Sequence, residues 1–158
     1  MSIKISKIEE DHVAGVVSLM REFAEYEGLS EYCTVTEARL STAMFGDGAI
    51  VEGLIAFVDD VAIAYALFYP SFSSFRGEQS LFLEDIYIRE EYRRHNLGET
   101  MLREIAGIAK MRGCERIDFM VLDANTPAVN FYLKHGAERN TDERHFKFAG
   151  EAFLNLAS

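Results

Sequence analysis

Apolar residues recur along the chain at two periods, and the switches between them mark the elements. Ile3, Ile5 and Ile8 alternate weakly across residues 1–8, as in a short strand. From Asp11 the spacing lengthens. Val13, Val16, Val17, Met20, Phe23 and Ala24 fall three and four apart and line one face of a helix that Gly28 closes. Thr36 is placed to cap a second helix with Glu37 in its first turn and Leu40, Ala43 and Met44 as its stripe; Gly46 ends it. Residues 49–58 and 61–69 are apolar and extended, and Asp59-Asp60 between them reads as a tight hairpin turn without the usual glycine. Pro70 to Gly77 reads as a loop and residues 81–88 as the next strand.

A polar loop follows at 89–97, then a helix from Gly98 to Arg112 carrying Met101, Leu102, Ile105, Ala106, Ile108 and Ala109, stopped by Gly113. Ile117 to Leu122 is a strand. Pro127 suits the first turn of a helix that runs to His135 and stops at Gly136. Residues 144–149 read as a last strand. The order β-α-α-β-β-β-α-β-α-β predicts an α/β fold, a mixed central sheet flanked by helices, in one domain spanning 1–158.

Composition narrows the partners. Lys+Arg number 16 against 26 Asp+Glu, a formal net charge of -10. Phosphate contacts dominate nucleic-acid affinity, so this balance argues against a nucleic-acid partner and favours a cationic or neutral small molecule. Two cysteines, Cys33 and Cys114, make no disulfide framework, and the four histidines lack metal-ligand spacing. No run approaches the roughly 20 apolar residues of a membrane span, and the N-terminus lacks a signal-peptide pattern. The expectation is a cytoplasmic protein with no metal and no membrane partner.

Two stretches carry candidate chemistry. In Leu83-Glu84-Asp85-Ile86-Tyr87-Ile88, two adjacent carboxylates interrupt a strand. Strand neighbours face opposite sides, so one of the two is expected to approach a buried face, which is costly unless a site uses it. Arg93-Arg94-His95-Asn96-Leu97-Gly98 then opens a helix. A strand, a loop and a helix N-terminus in that order present free N–H groups to an anion; the plainer reading is an ordinary connection with solvated arginines. The second stretch, Asn125-Thr126-Pro127-Ala128-Val129-Asn130-Phe131-Tyr132-Leu133-Lys134-His135-Gly136-Ala137, reads locally as a capped, glycine-stopped helix with core aromatics.

Together the two stretches resemble the GCN5-related N-acetyltransferase (GNAT) superfamily. In that family a strand, an R/Q-x-x-G-x-G/A loop and a helix hold the acyl-CoA diphosphate, and an N-x-x-A-x-x-F-Y-x-x-x-G-A-like segment follows. The match is closest to the spermidine/spermine and thialysine/diamine acetyltransferases, through Ala24-Glu25-Tyr26-Glu27, Thr36-Glu37, Leu83-Glu84-Asp85, Tyr92-Arg93 and Asn130-Phe131-Tyr132. Two positions depart from the pattern. Asn96 stands at the first loop glycine, and Asn tolerates the left-handed region best among non-glycine residues, so the loop is expected to keep its shape. Ser71 to Gly77 replaces a segment that resembles Asp-Pro-Trp in polyamine enzymes.

The resemblance implies acetyl-CoA as co-substrate and direct acetyl transfer to the primary amine of a small cationic substrate: a diamine, a polyamine or a lysine-like amino acid. Such an amine must lose a proton before it attacks, the thioester oxygen needs a donor, and the leaving thiolate benefits from an acid. Glu84 is the implied base, acting through a water, and Tyr132 the implied acid. The resemblance places the Ile86 N–H beside the thioester oxygen. Tyr87, Ile88, Arg93, Arg94, His95, Asn96, Leu97, Gly98, Glu99 and Asn125 are implied to hold the cofactor. Asp85 is the second carboxylate, binding the cation, and Glu27 in the acidic run with Glu25 and Glu31 draws it to the pocket mouth; such runs are also ordinary solvated faces. Phe72 and Phe75 pack its methylenes or simply cover the core. The family also implies a homodimer, for which residues 144–156 carry enough apolar surface. Two rivals remain open: acetylation of a protein amine, and a non-catalytic acyl-CoA-binding module.

Overall fold

The computed structural model describes residues 2–158; the part of the first expected strand that falls on Met1 lies outside the described residues. The chain divides after Met120 into two compact units.

The first unit is built on a five-stranded sheet of β1 (Lys4–Lys7), β2 (Glu52–Val58), β3 (Val61–Ser73), β4 (Glu78–Ile88) and β5 (Ile117–Phe119). The strands lie in sequence order. The first four are antiparallel and β5 joins β4 in parallel, so the sheet is mixed as expected. The helix α1 (Val13–Tyr26) and α2 (Glu37–Phe45) cover one face. Val13, Val16, Val17, Leu19, Leu40 and Met44 bury against Ile55, Tyr65, Leu67 and Tyr87 there. Thr36 caps α2 as its position predicts, accepting from the Arg39 N–H at 3.2 Å. The other face carries Leu54, Ala56, Ala64, Ala66, Phe68, Leu81 and Leu83. The helix α3 (Leu97–Met111) buries Leu97, Met101, Ile105 and Ala109. Asp59 and Asp60 form the β2–β3 turn with φ of 48° and 62°, both left-handed, which is the two-residue geometry that matches strand twist.

The hairpin of β3 and β4 is longer than the sequence reading allows. Pro70 to Ser73 belong to β3, not to a loop, and only Ser74 to Gly77 turn the chain. Pro70 is tolerated because of where its nitrogen points. Its partner across the ladder is Leu81, whose N–H donates away from β3 to the Arg116 carbonyl at 3.2 Å. Pro70 and Leu81 are therefore a pair that exchanges no hydrogen bonds. The missing donor faces the side that β2, which pairs with β3 only as far as Phe68, has left.

The second unit holds α4 (Thr126–Lys134) and α5 (Gly150–Ala157). Asn125 caps α4, its side-chain oxygen accepting from the Ala128 N–H at 3.3 Å. The expected strand at 144–149 is absent: the segment is irregular and a helix follows it. Its alternating Phe146 and Phe148 imitate a strand, but a strand forms only where a neighbour completes the ladder, and no ladder among the described residues includes it. The strand expected over Ile117 to Leu122 is likewise shortened to three residues.

Candidate active site

The site begins with one irregularity in β4. Leu67 pairs with Asp85 but Phe68 pairs with Leu83, so Glu84 is an extra residue in the ladder, a β-bulge. Two hydrogen bonds fix its effect. Before the bulge Leu81 donates away from β3; after it Arg89 donates toward β3, to the Ile63 carbonyl at 3.0 Å. In a ladder that took Glu84 into regular pairing, both odd-numbered groups would point the same way.

The bulge overturns the expectation that Glu84 and Asp85 face opposite sides. Tyr65, Leu67 and Tyr69 lie two apart on β3 and share one face of the sheet. The Tyr65 hydroxyl donates to Asp85 Oδ2 at 2.9 Å, and the Tyr69 hydroxyl donates to Glu84 Oε2 at 3.0 Å. Both carboxylates therefore stand on the α1 face, each held by its own phenol. Their environments differ. Glu84 is exposed, whereas Asp85 is partly buried and Tyr65 wholly so. Burial pushes the Asp85 carboxyl up to about 6; the Tyr65 hydrogen bond opposes the shift, while the negative charges of Glu84 and Glu27 add to it. Burial and the neighbouring carboxylates push the Tyr65 phenol far above its ordinary value, and burial followed by Glu84 takes Tyr69 to about 12. Both phenols are thus donors at any working pH.

The bulge also prepares the opposite edge of β4. Pairing with β5 ends at Leu83 and Phe119. Beyond it, the residues whose backbone groups point to the open side are Ile86 and Ile88. The Ile88 carbonyl already accepts from Arg93 Nε at 2.9 Å, which leaves the N–H groups of Ile86 and Ile88 on the open edge. Tyr87 belongs to the interior instead, its ring stacked on Phe23 with centroids 5.3 Å apart. The loop to α3 closes with Asn96 in the left-handed conformation, φ 55°, a region that asparagine tolerates best among non-glycine residues. Arg93 turns its guanidinium back over the Tyr26 ring, 4.4 Å from the centroid, and Arg94 stays exposed. Leu97 and Gly98 are buried in the first turn of α3, and Glu99 is held by Arg103 one turn on, 2.7 Å away. Arg89, which the sequence reading did not single out, forks onto Glu22 at 2.6 and 2.9 Å and ties the end of β4 to α1.

An unpaired strand edge followed by a helix N-terminus fits an extended amide-bearing chain that ends in a diphosphate, such as the pantetheine arm of coenzyme A. Not every expected site residue joins this arrangement. Phe72 lies at an even position of β3, on the face opposite the carboxylates, and Phe75 is fully exposed in the hairpin turn. Glu27 lies near enough for its negative charge to add to the upward shift of Asp85. Tyr132 sits in α4 of the second unit with its ring edge-on to Phe131, and His95 is an exposed loop residue.

The chain is similar to known proteins in both sequence and fold. The chain is 31% identical to the thialysine N-epsilon-acetyltransferase of Bos taurus over 98% of its own length and 97% of that protein's. It is 36% identical to the L-ornithine N5-acetyltransferase of Arabidopsis thaliana over 60% of its length and 42% of that protein's. An integron cassette protein from the mobile metagenome of V. cholerae shares the fold, with a TM-score of 0.84 and 21% identity over 99% of this chain and 98% of that one. The family model described as Acetyltransferase (GNAT) family matches residues 16–137, which takes in the bulged strand, the open edge and α3, and the chain belongs to that family.

Proposed function

We propose that this acetyltransferase moves the acetyl group of acetyl-CoA to the primary amine of a small cationic substrate, a diamine, a polyamine or a lysine-like amino acid. The observation that carries the reading is the pair of co-facial carboxylates that the bulge at Glu84 creates. The names of the bovine and Arabidopsis relatives, enzymes of thialysine and ornithine, favour the same substrate class.

Acetyl-CoA supplies an acetyl group already activated as a thioester. The chain's task is to hold it and to manage protons. The open-edge N–H of Ile86 is the donor for the thioester oxygen, and Ile88 with the segment from Arg93 to Glu99 holds the pantetheine and diphosphate. An aliphatic amine with a pKa near 10.4 is neutral in roughly one molecule in 2,500 at pH 7, so a base must act. Glu84, exposed and steadied by Tyr69, takes that proton through a water, and Asp85 with Glu27 keeps the cation in place. Tyr132 gives its phenolic proton to the leaving thiolate. Holding both substrates at once removes any need for a covalent enzyme intermediate.

The family model crosses from the first compact unit into the second, which supports one catalytic domain over 1–158. A homodimer through residues 144–156 and a cytoplasmic location belong to the same reading. The first is supported by Phe146, Phe148, Phe153, Leu154 and Leu156, all exposed in the single chain. Among the described residues no helix is long and apolar enough to cross a membrane.

The test is a panel of diamines, polyamines, lysine analogues and peptides offered with acetyl-CoA while free thiol is followed. Release with small diamines or diamino acids is expected. Release with peptides alone transfers the site to protein amines, and no release with any amine leaves a binding module.

A further inference from the structure

We propose that Tyr65 is a positioning residue for amine recognition: its buried phenol holds the Asp85 carboxylate in the orientation that receives the acceptor's ammonium group. The inference rests on the reading of the site as one for a cationic amine and adds the residue that tunes it.

Tyr65 is 0% exposed, and a buried hydroxyl is costly unless it is bonded. Its partner is Asp85 Oδ2. The pair is diagonal across the ladder, since Tyr65 stands opposite Tyr87 and Asp85 opposite Leu67. Only the bulge brings that carboxylate onto the face of Tyr65. The phenol fixes one carboxylate oxygen and leaves Oδ1 for another donor. The charged and titratable groups around the pair are Glu84 and Tyr87 on β4, Tyr69 on β3, Glu27 after α1, and Cys33 beyond it, beside Tyr65. None of these is a cation. Among the described residues the nearby arginines are committed elsewhere, Arg89 to Glu22 and Arg93 to Tyr26 and the Ile88 carbonyl. Among the described residues no cation meets the Asp85 carboxylate itself, and the acceptor's ammonium is the group that completes it.

The phenol also acts on protonation. Its hydrogen bond favours the ionised carboxylate against burial and against the charges of Glu84 and Glu27. Removing it moves the Asp85 midpoint further up, so that less of the carboxylate is charged near neutrality and the ammonium loses its counter-ion.

The experiment is steady-state kinetics of wild type and Tyr65→Phe from pH 5 to 9, varying the amine and acetyl-CoA separately. In Tyr65→Phe the KM for the amine rises about tenfold at pH 7 while kcat stays within about threefold and the KM for acetyl-CoA does not move. The acid limb of kcat/KM for the amine shifts to higher pH by about one unit. In an Asp85→Asn background the same substitution adds nothing further to the amine KM. An unchanged acid limb and amine KM in folded Tyr65→Phe, or an undiminished effect in the Asp85→Asn background, overturns the proposal. Should Tyr65→Phe not fold, the Asp85 carboxyl is titrated in wild type by 13C NMR with and without a diamine. A midpoint lowered by a unit or more supports the inference and an unmoved one overturns it. A wild type that acetylates no amine overturns the proposed function and this inference together, whereas an active wild type with an indifferent Tyr65→Phe overturns the inference alone.

Discussion

The two halves of β4 make a natural experiment within one strand. From Leu81 to Leu83 it is held on both sides, by β3 and by β5, with Leu81 and Leu83 buried and Phe82 half-buried. From Glu84 to Ile88 it is held by β3 alone, one edge is open, and its first two side chains are carboxylates. The closed half does what a central strand ordinarily does. The open half carries ladder groups and charges that a buried strand does not tolerate, and it does so next to a bulge. The comparison separates two kinds of contribution: in one half residues stabilise the fold, and in the other, on the proposed reading, they serve chemistry at some expense to it.

The sharpest way to break that distinction is Glu84→Gln. It is expected to lower kcat by about 10²–10⁴, the usual range for a lost general base, and to flatten the rise of rate with pH while leaving the melting temperature within a degree or two. An unchanged pH profile would falsify the assignment of the base to the open half. Tyr132→Phe tests the proposed acid, Tyr132 in the second unit. Turnover falls by about 10² with acetyl-CoA affinity kept, and equal turnover removes Tyr132 from the mechanism.

In the closed half the effect reverses in kind. Leu83→Ala is expected to cost about 2–5 kcal/mol of stability by denaturant unfolding and to leave the acid limb of the rate profile where it was. A moved acid limb there would merge the two halves. Asp85→Asn carries the opposite sign. The folded carboxyl is raised to about 6 from its usual 3.8, so the folded state binds the proton more tightly than the unfolded one. Its contribution to stability is undiminished below about pH 4 and is lost as pH rises through 6, by on the order of 3 kcal/mol. Asp85→Asn should therefore melt higher than wild type at pH 8 and level with it at pH 4, while the amine binds more weakly. The smallest effect belongs to Asn96→Gly, which relieves a left-handed non-glycine residue. It is expected to gain under about 1 kcal/mol and to leave acetyl-CoA affinity equal or tighter; a large loss of affinity would give the Asn96 side chain a direct contact.

What the sequence discloses follows the range of the forces involved. The stripes of α1 and α3, the Thr36 cap and the Asp59-Asp60 turn are local, and each is legible from residues within a few positions. The open half was legible only in part. Leu83-Glu84-Asp85 and the Arg93 loop were visible as a family pattern, but no local signal announces that Glu84 is an extra residue. A bulge is a mismatch between two strands, so it exists only once β3 is laid alongside. The faces of Asp85 and Phe72 and the roles of Tyr65 and Tyr69 depend on that register and stayed hidden with it. The segment 144–149 failed for the same reason in reverse: its alternation satisfies the local rule, and the ladder that would make it a strand is absent among the described residues.

Glu84 is the residue of its strand that the ladder does not need. Without it Asp85 would follow Leu83 directly and still stand opposite Leu67, and Ile86, Tyr87 and Ile88 would keep their partners, their faces and their edge. In a mutational library this stretch should therefore accept the loss of Glu84 as a shortened, regular strand whose defect is confined to the missing carboxylate.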